Sequence, residues 1–196
     1  MKRLLTYTVL LFFPVLVEAQ SRDVETLFEA GQYQQVISAV ATDGARPADL
    51  YLAAQSYGRL KHPGEARATH ERLAGREDAW RDVAQSAIAV LDGNADWAVA
   101  AAHRATEAES TLPEAHYQLG LARALKGDYG AAAAAFERAA NLDAGFAYAH
   151  YYGGLSHYRN KRVDLMARHF EAFLKLAPKA PERPEVESIM RTVRGR

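Results

Sequence analysis

Few residues in this chain have the types and spacing to do chemistry. It carries seven histidines and no cysteine. His150 and His157 stand two helical turns apart and so share one helix face, a spacing that could bind a metal ion. His116 occupies the column equivalent to His150. The carboxylates of Glu107, Glu109 and Glu114 are of the right type for acid–base work. None of these groups completes a catalytic constellation. There is no His-Glu-x-x-His spacing, no Gly-x-Ser-x-Gly elbow and no glycine-rich phosphate loop. The absence of cysteine excludes disulfides, thiolate nucleophiles and thiolate metal sites. The histidines are therefore read as packing residues with satisfied ring nitrogens, and the carboxylates as solvated helix faces and caps. The expectation is a protein with no enzymatic activity, no metal and no cofactor.

The elements that position these residues follow from an internal repeat, sought first because it decides the architecture. At an offset of 34, His116 matches His150, Tyr117 matches Tyr151, and Gly120 matches Gly154. Phe136 matches Phe170, and Leu142 matches Leu176. One step back, Ser86 falls under Gly120, Gly93 under Gly127, Ala98 under Ala132 and Ala105 under Ala139. A further step of 32 puts Ala54 in the glycine column and His70 in the phenylalanine column. A partial first unit has its turn at Gly31, Gln32 and Tyr33. A unit of this length fits two helices of three to four turns and a tight turn. The small residues are expected where helices cross, with Leu119, Phe136, Leu155 and Phe170 filling the space between. Lys126-Gly127-Asp128 and Asp92-Gly93-Asn94 read as turns, Pro63 as a first-turn proline, and Thr111 with Glu114 as a capping box.

The stretch from Pro113 to Ala144 resembles a tetratricopeptide repeat. Leu119, Gly120, Ala132, Phe136 and Ala139 supply most of that family's pattern. Arg123 stands where tyrosine is usual, Tyr57 does fill that column, and in the last unit Gly153 replaces the leucine and Met166 the alanine. The resemblance implies an all-α, right-handed α-solenoid of helix-turn-helix units at about 20–46, 47–76, 79–110, 113–146 and 147–180. Beyond Pro178, Val186, Ile189, Met190 and Val193 form one apolar stripe, so residues 181–196 read as a capping helix over the last unit.

In the family, the first helix of each unit lines a concave groove. The faces expected to look inward carry Tyr51 and Gln55, then Trp80, then Tyr117 and Leu121, then Tyr148, Tyr151, Tyr158 and Arg159. Tyrosine and tryptophan offer large contact area with a polar tip, which suits protein recognition. Tyr117 and Tyr151 fit the seam between repeats equally well. The family also has a version that clamps a peptide's C-terminal carboxylate with paired lysines and asparagines. Here those positions hold tyrosine, alanine and leucine, so a segment with apolar anchors is expected instead.

Lys2 and Arg3 precede a run of 14 apolar residues ending at Val17, and Ala19 follows. This is the pattern of a secretory signal peptide over residues 1–19, cleaved after Ala19, and it is too short to span a bilayer. Without those residues the chain has 22 basic and 23 acidic side chains, a balance that argues against nucleic-acid binding. The expectation is a periplasmic or secreted adaptor with no membrane span after signal removal, holding another protein or peptide segment. Two alternatives remain: a self-assembling homo-oligomeric repeat module, and a metal-binding or enzymatic protein using His150 and His157.

Overall fold

The structure, a computed structural model, describes residues 24–41 and 44–194. The expected signal peptide lies outside the described residues. Eleven helices and no strand occur among them. They are α1 (24–29), α2 (Tyr33–Val40), α3 (Pro47–Arg59), α4 (Pro63–Ala74), α5 (Ala79–Leu91) and α6 (Ala95–Ala108). Then follow α7 (Pro113–Lys126), α8 (Tyr129–Leu142), α9 (Ala147–Arg159), α10 (Val163–Leu176) and α11 (Arg183–Arg194). Each helix from α2 to α10 packs on the next, α5 also on α7, and α7 on α9. This is an α-solenoid of helix pairs. None of the described helices is long and apolar enough to cross a membrane.

The turns inside the units share one geometry. The N–H of Gly127 bonds the carbonyl of Ala124, and that of Asp128 bonds Arg123. The same two bonds recur at Gly31-Gln32, Lys61-His62, Gly93-Asn94 and Lys161-Arg162. Such a C-cap needs one residue in the left-handed region. Gly31, Gly93 and Gly127 meet that need at φ +71°, +70° and +83°. Lys61 and Lys161 meet it at φ 62° and 59°, against the Cβ clash that makes this region costly for L-residues. Of the helices that follow, α6 and α8 open on side-chain caps at Asn94 and Asp128 and α4 on Pro63, while α3 and α7 open their units on Pro47 and Pro113. Thr111 is a correction to the expected capping box. Pro113 begins α7, the N-cap falls on Leu112, and it has no side-chain cap bond. Thr111 thus sits one residue too early to reach the free N–H groups.

The small-residue columns are contact points between the two helices of a unit, 16 positions apart. A Cβ on Gly120 would stand 2.6 Å from the Phe136 ring, and one on Gly154 2.5 Å from Phe170. Both rings are fully buried. Where the ring column holds Ala102, the crossing column can carry Ser86, whose hydroxyl donates to the carbonyl of Ala98 at 2.8 Å. The cap helix α11 buries Val186 and Met190 and lays Ile189 and Val193 on the core.

The concave face as a candidate binding site

Four tyrosines are buried on the inner face. Tyr51, Tyr117, Tyr148 and Tyr151 are 1%, 5%, 2% and 6% exposed, and Trp80 is 8% exposed. Ring-to-ring contacts join them. Tyr117 packs on Phe146 at 4.9 Å and Tyr151 on Tyr152 at 4.9 Å. Tyr148 meets Phe28 of α1 at 5.2 Å, and Tyr51 meets Trp80 at 5.9 Å. Aromatic pairs of this kind are worth about 0.5–1.5 kcal/mol each beyond burial. Gln55 and Leu121 are half-buried beside them, while Tyr158 and Arg159 lie exposed at the end of α9. Burial is the main cause that pushes the hydroxyls of Tyr51, Tyr117, Tyr148 and Tyr151 above the usual tyrosine range. They are neutral donors at every physiological pH.

Polar groups thread this aromatic core. The Tyr51 hydroxyl donates to Gln118 Oε1 at 2.6 Å, and Gln118 Nε2 donates to Ser86 Oγ at 3.3 Å. Arg59 reaches across from α3. It pairs with Glu182, donates to the Tyr152 hydroxyl at 3.2 Å, and lies 5.2 Å over the Tyr148 ring. Tyr148 donates to the other oxygen of Glu182 at 2.9 Å, and Tyr151 to Glu185 at 3.1 Å. The link between α10 and α11 therefore seals one side of the inner face. The first unit closes the other: Phe28 packs on Tyr148, and Pro181 sits against Gly31. The first unit thus packs against the last unit and the cap link within its own chain.

One mouth remains. A cavity of about 180 Å³ opens between α1, α3, α7 and the turn before α9. Glu25, Asp49, Glu114, Asp143 and Arg46 rim it, and Tyr51, Leu52 and Phe146 line it. Beneath lies an apolar pocket of Phe28, Tyr51, Tyr117 and Tyr148, with Gln55 at its edge. Arg46 pairs with Asp49 at 3.0 Å. Burial, and then the neighbouring Glu25, push the Glu29 carboxyl up to about 7. Burial likewise pushes Glu114 up to about 7, with the charges of Asp143 and Glu25 adding to it.

A second polar group sits apart, in the seam of α8, α9 and α10. His157 Nε2 lies 2.9 Å from Glu137 Oε1, and His169 Nε2 lies 3.9 Å from the same oxygen. His150 and His157 do share a face, as their spacing implies, and both turn toward His169.

Several of these residues escaped the sequence reading. Gln118 and Tyr152 lie on the first helices, but polar glutamine suggests no buried role. Glu182 belongs to a proline-rich link with no repeat to place it. His169 did leave a signal. It lies 16 positions after Gly153, the separation that pairs glycine with a ring elsewhere.

No family model matches the chain, and no curated protein matches it. Solved structures do. A thermophilic TPR protein of Thermus thermophilus superposes with a TM-score of 0.63 at 18% identity, over 90% of this chain and 97% of that one. YrrB, a TPR protein with an unusual peptide-binding site, gives 0.54 at 18% identity over 90% and 98%. The first TPR of Spaghetti (RPAP3), bound to an HSP90 peptide, gives 0.55 at 15% identity over 61% and 94%. The fold is that of tetratricopeptide proteins.

Proposed function

We propose that this chain is a non-catalytic protein-binding scaffold of the cell envelope, exported by its N-terminal segment. It holds a partner segment at the mouth of its concave face. The observation that carries this reading is the 180 Å³ cavity. It has room for about one long side chain, with four carboxylates around one paired arginine on its rim and aromatic rings below. Such a mouth suits an extended segment presenting a lysine or arginine beside an apolar residue. The cation would relieve the repulsion among the carboxylates and lie against aromatic faces. Tyr51, Gln55, Tyr117 and Tyr148 then act as the floor of the site, while Tyr158 and Arg159, at the far end of α9, lie outside it. The peptide-binding site of YrrB and the peptide complex of Spaghetti support the reading as analogies of fold.

The test uses the chain from Gln20 onward as bait against the source organism's envelope fraction, beside a Glu114→Gln, Asp143→Asn variant. The wild type is expected to retain a partner and release it at high salt, while the folded variant loses it. Equal recovery by both baits would place binding elsewhere. Recovery of the protein alone would favour the self-assembly alternative.

A further inference from the structure

We propose that Glu137, His157 and His169 form a zinc-type divalent cation site at the seam of α8, α9 and α10, with His150 orienting His169. One ligand atom from each of the three lies within 4.8 Å of the others. A tetrahedral zinc ion holds nitrogen and oxygen ligands at about 2.0–2.2 Å, which puts them about 3.3–3.5 Å from one another. The His157–Glu137 distance of 2.9 Å and the His169–Glu137 distance of 3.9 Å bracket that spacing. The cation would take the place of the proton shared by His157 Nε2 and Glu137 Oε1, and a small rotation of His169 completes the set.

An ordinary histidine–carboxylate hydrogen bond would account for His157 and Glu137 alone. It does not account for a second imidazole converging on the same oxygen, nor for a third behind it. His150 Nδ1 lies 3.3 Å from His169 Nδ1. One of these nitrogens must carry the proton, and if His169 does, its Nε2 is left with a free lone pair on the Glu137 side. This is how ligating imidazoles are commonly held, through a hydrogen bond from the other ring nitrogen. His157 Nδ1 is buried and has no partner, so this ring is not placed by a full set of protein hydrogen bonds.

The packing makes room for the cluster. In the preceding unit the pair 16 positions apart is Leu119 with Ala135, which share an apolar cluster. Here the volumes are exchanged, with Gly153 facing His169. A Cβ on Gly153 would stand 2.9 Å from His169 Nδ1. The departure of Gly153 from the repeat pattern is the space that admits the ring. The side chains of His157 and His169 are 6% and 12% exposed, and Glu137 is 43% exposed. The donors are thus shielded on two sides and open on the third, which gives the ion an entry path. Bound there, it would join the last two units.

The experiment is calorimetric titration of Zn²⁺ into the whole chain, prepared without a histidine tag and stripped with a chelator. One saturable site per chain is expected, with stabilisation against heat. Glu137→Gln and His169→Asn should each weaken binding at least about tenfold, and His150→Asn by a smaller factor. His103→Ala should change nothing, since that exposed ring faces Glu107, at 3.7 Å, away from the cluster. Glu137 is partly exposed, so its variant decides the matter even if a histidine variant misfolds; circular dichroism checks each. Co²⁺ gives a second readout, with a tetrahedral visible spectrum expected in the wild type and absent in Glu137→Gln. No saturable site, or equal binding by wild type and Glu137→Gln, overturns the proposal.

Discussion

Arg59 at the end of α3 and Glu182 in the link after α10 form an ion pair across 123 positions of sequence. The pair sits on the inner face, where Tyr148 and Tyr152 complete its hydrogen bonds. It joins the second unit to the residues that introduce the cap, and so closes the solenoid on itself. Opening that side of the inner face to a partner would require breaking this pair and moving the link away.

The pair should matter far more than its surface counterparts. The Glu182 side chain is 9% exposed and that of Arg59 27%. Replacing Glu182 by Gln leaves a half-buried guanidinium without its counter-charge, which should destabilise by about 2–3 kcal/mol. The comparison is Glu187→Gln, which breaks the exposed 2.9 Å pair with Arg183 and should cost at most about 1 kcal/mol. Urea unfolding measures both. Equal effects would mean that the inner face is held shut by apolar packing alone.

The two left-handed lysines should be sites of cheap stabilisation. Glycine adopts φ near +60° without the Cβ clash that Lys61 and Lys161 bear. Its greater freedom in the unfolded chain offsets part of the gain. Each of Lys61→Gly and Lys161→Gly should therefore raise stability by about 0.5–1 kcal/mol. Thermal unfolding of the single and double variants checks this, and the double variant reads whether the two effects add.

Glu29 and Glu114 should each contribute less stability as pH rises. Glu29 and Glu114 are pushed up to about 7 in the folded chain, from 4.5. Between those values the folded state holds protons that the unfolded chain has released. Their contribution is complete below about pH 4.5 and is lost as pH rises through about 7. Burial holds His150, His70 and His169 below the usual imidazole range, the last two at about 4, so these groups make stability rise with pH between about 4 and 6.5. The glutamates are therefore read as a difference between proteins: relative to wild type, Glu114→Gln should gain melting temperature as pH rises from about 5 to 8. An unchanged slope in the variant would remove Glu114 from the account.

The repeat was legible because its determinants are local and periodic. Gly120 and Gly154 recur at the crossing points, and Phe136 and Phe170 lie where the unit length requires. The turns at Gly31, Gly93 and Gly127 announce themselves, since few other residues accept their backbone. Lys61 and Lys161 do not, because the structure imposes a conformation their type disfavours. The expected cap at Thr111 failed for a similar reason, as Pro113 shifted the helix start by one residue. Helical spacing grouped the tyrosines on the first helices, but left open whether they line a groove or the seam between repeats, and what would cover them.

By itself, then, the sequence determined the helix pairs, their crossing residues, and the placement of tyrosines and Trp80 on the first helices. The tertiary structure alone decided that α1, Arg59 and Glu182 would close over those rings beside an acidic mouth. It also decided that His169 would join His150 and His157. The physical reason is cumulative geometry. Each unit adds a small rotation set by the volumes at its crossings, and only their sum brings α3 to α9 and the cap link to both.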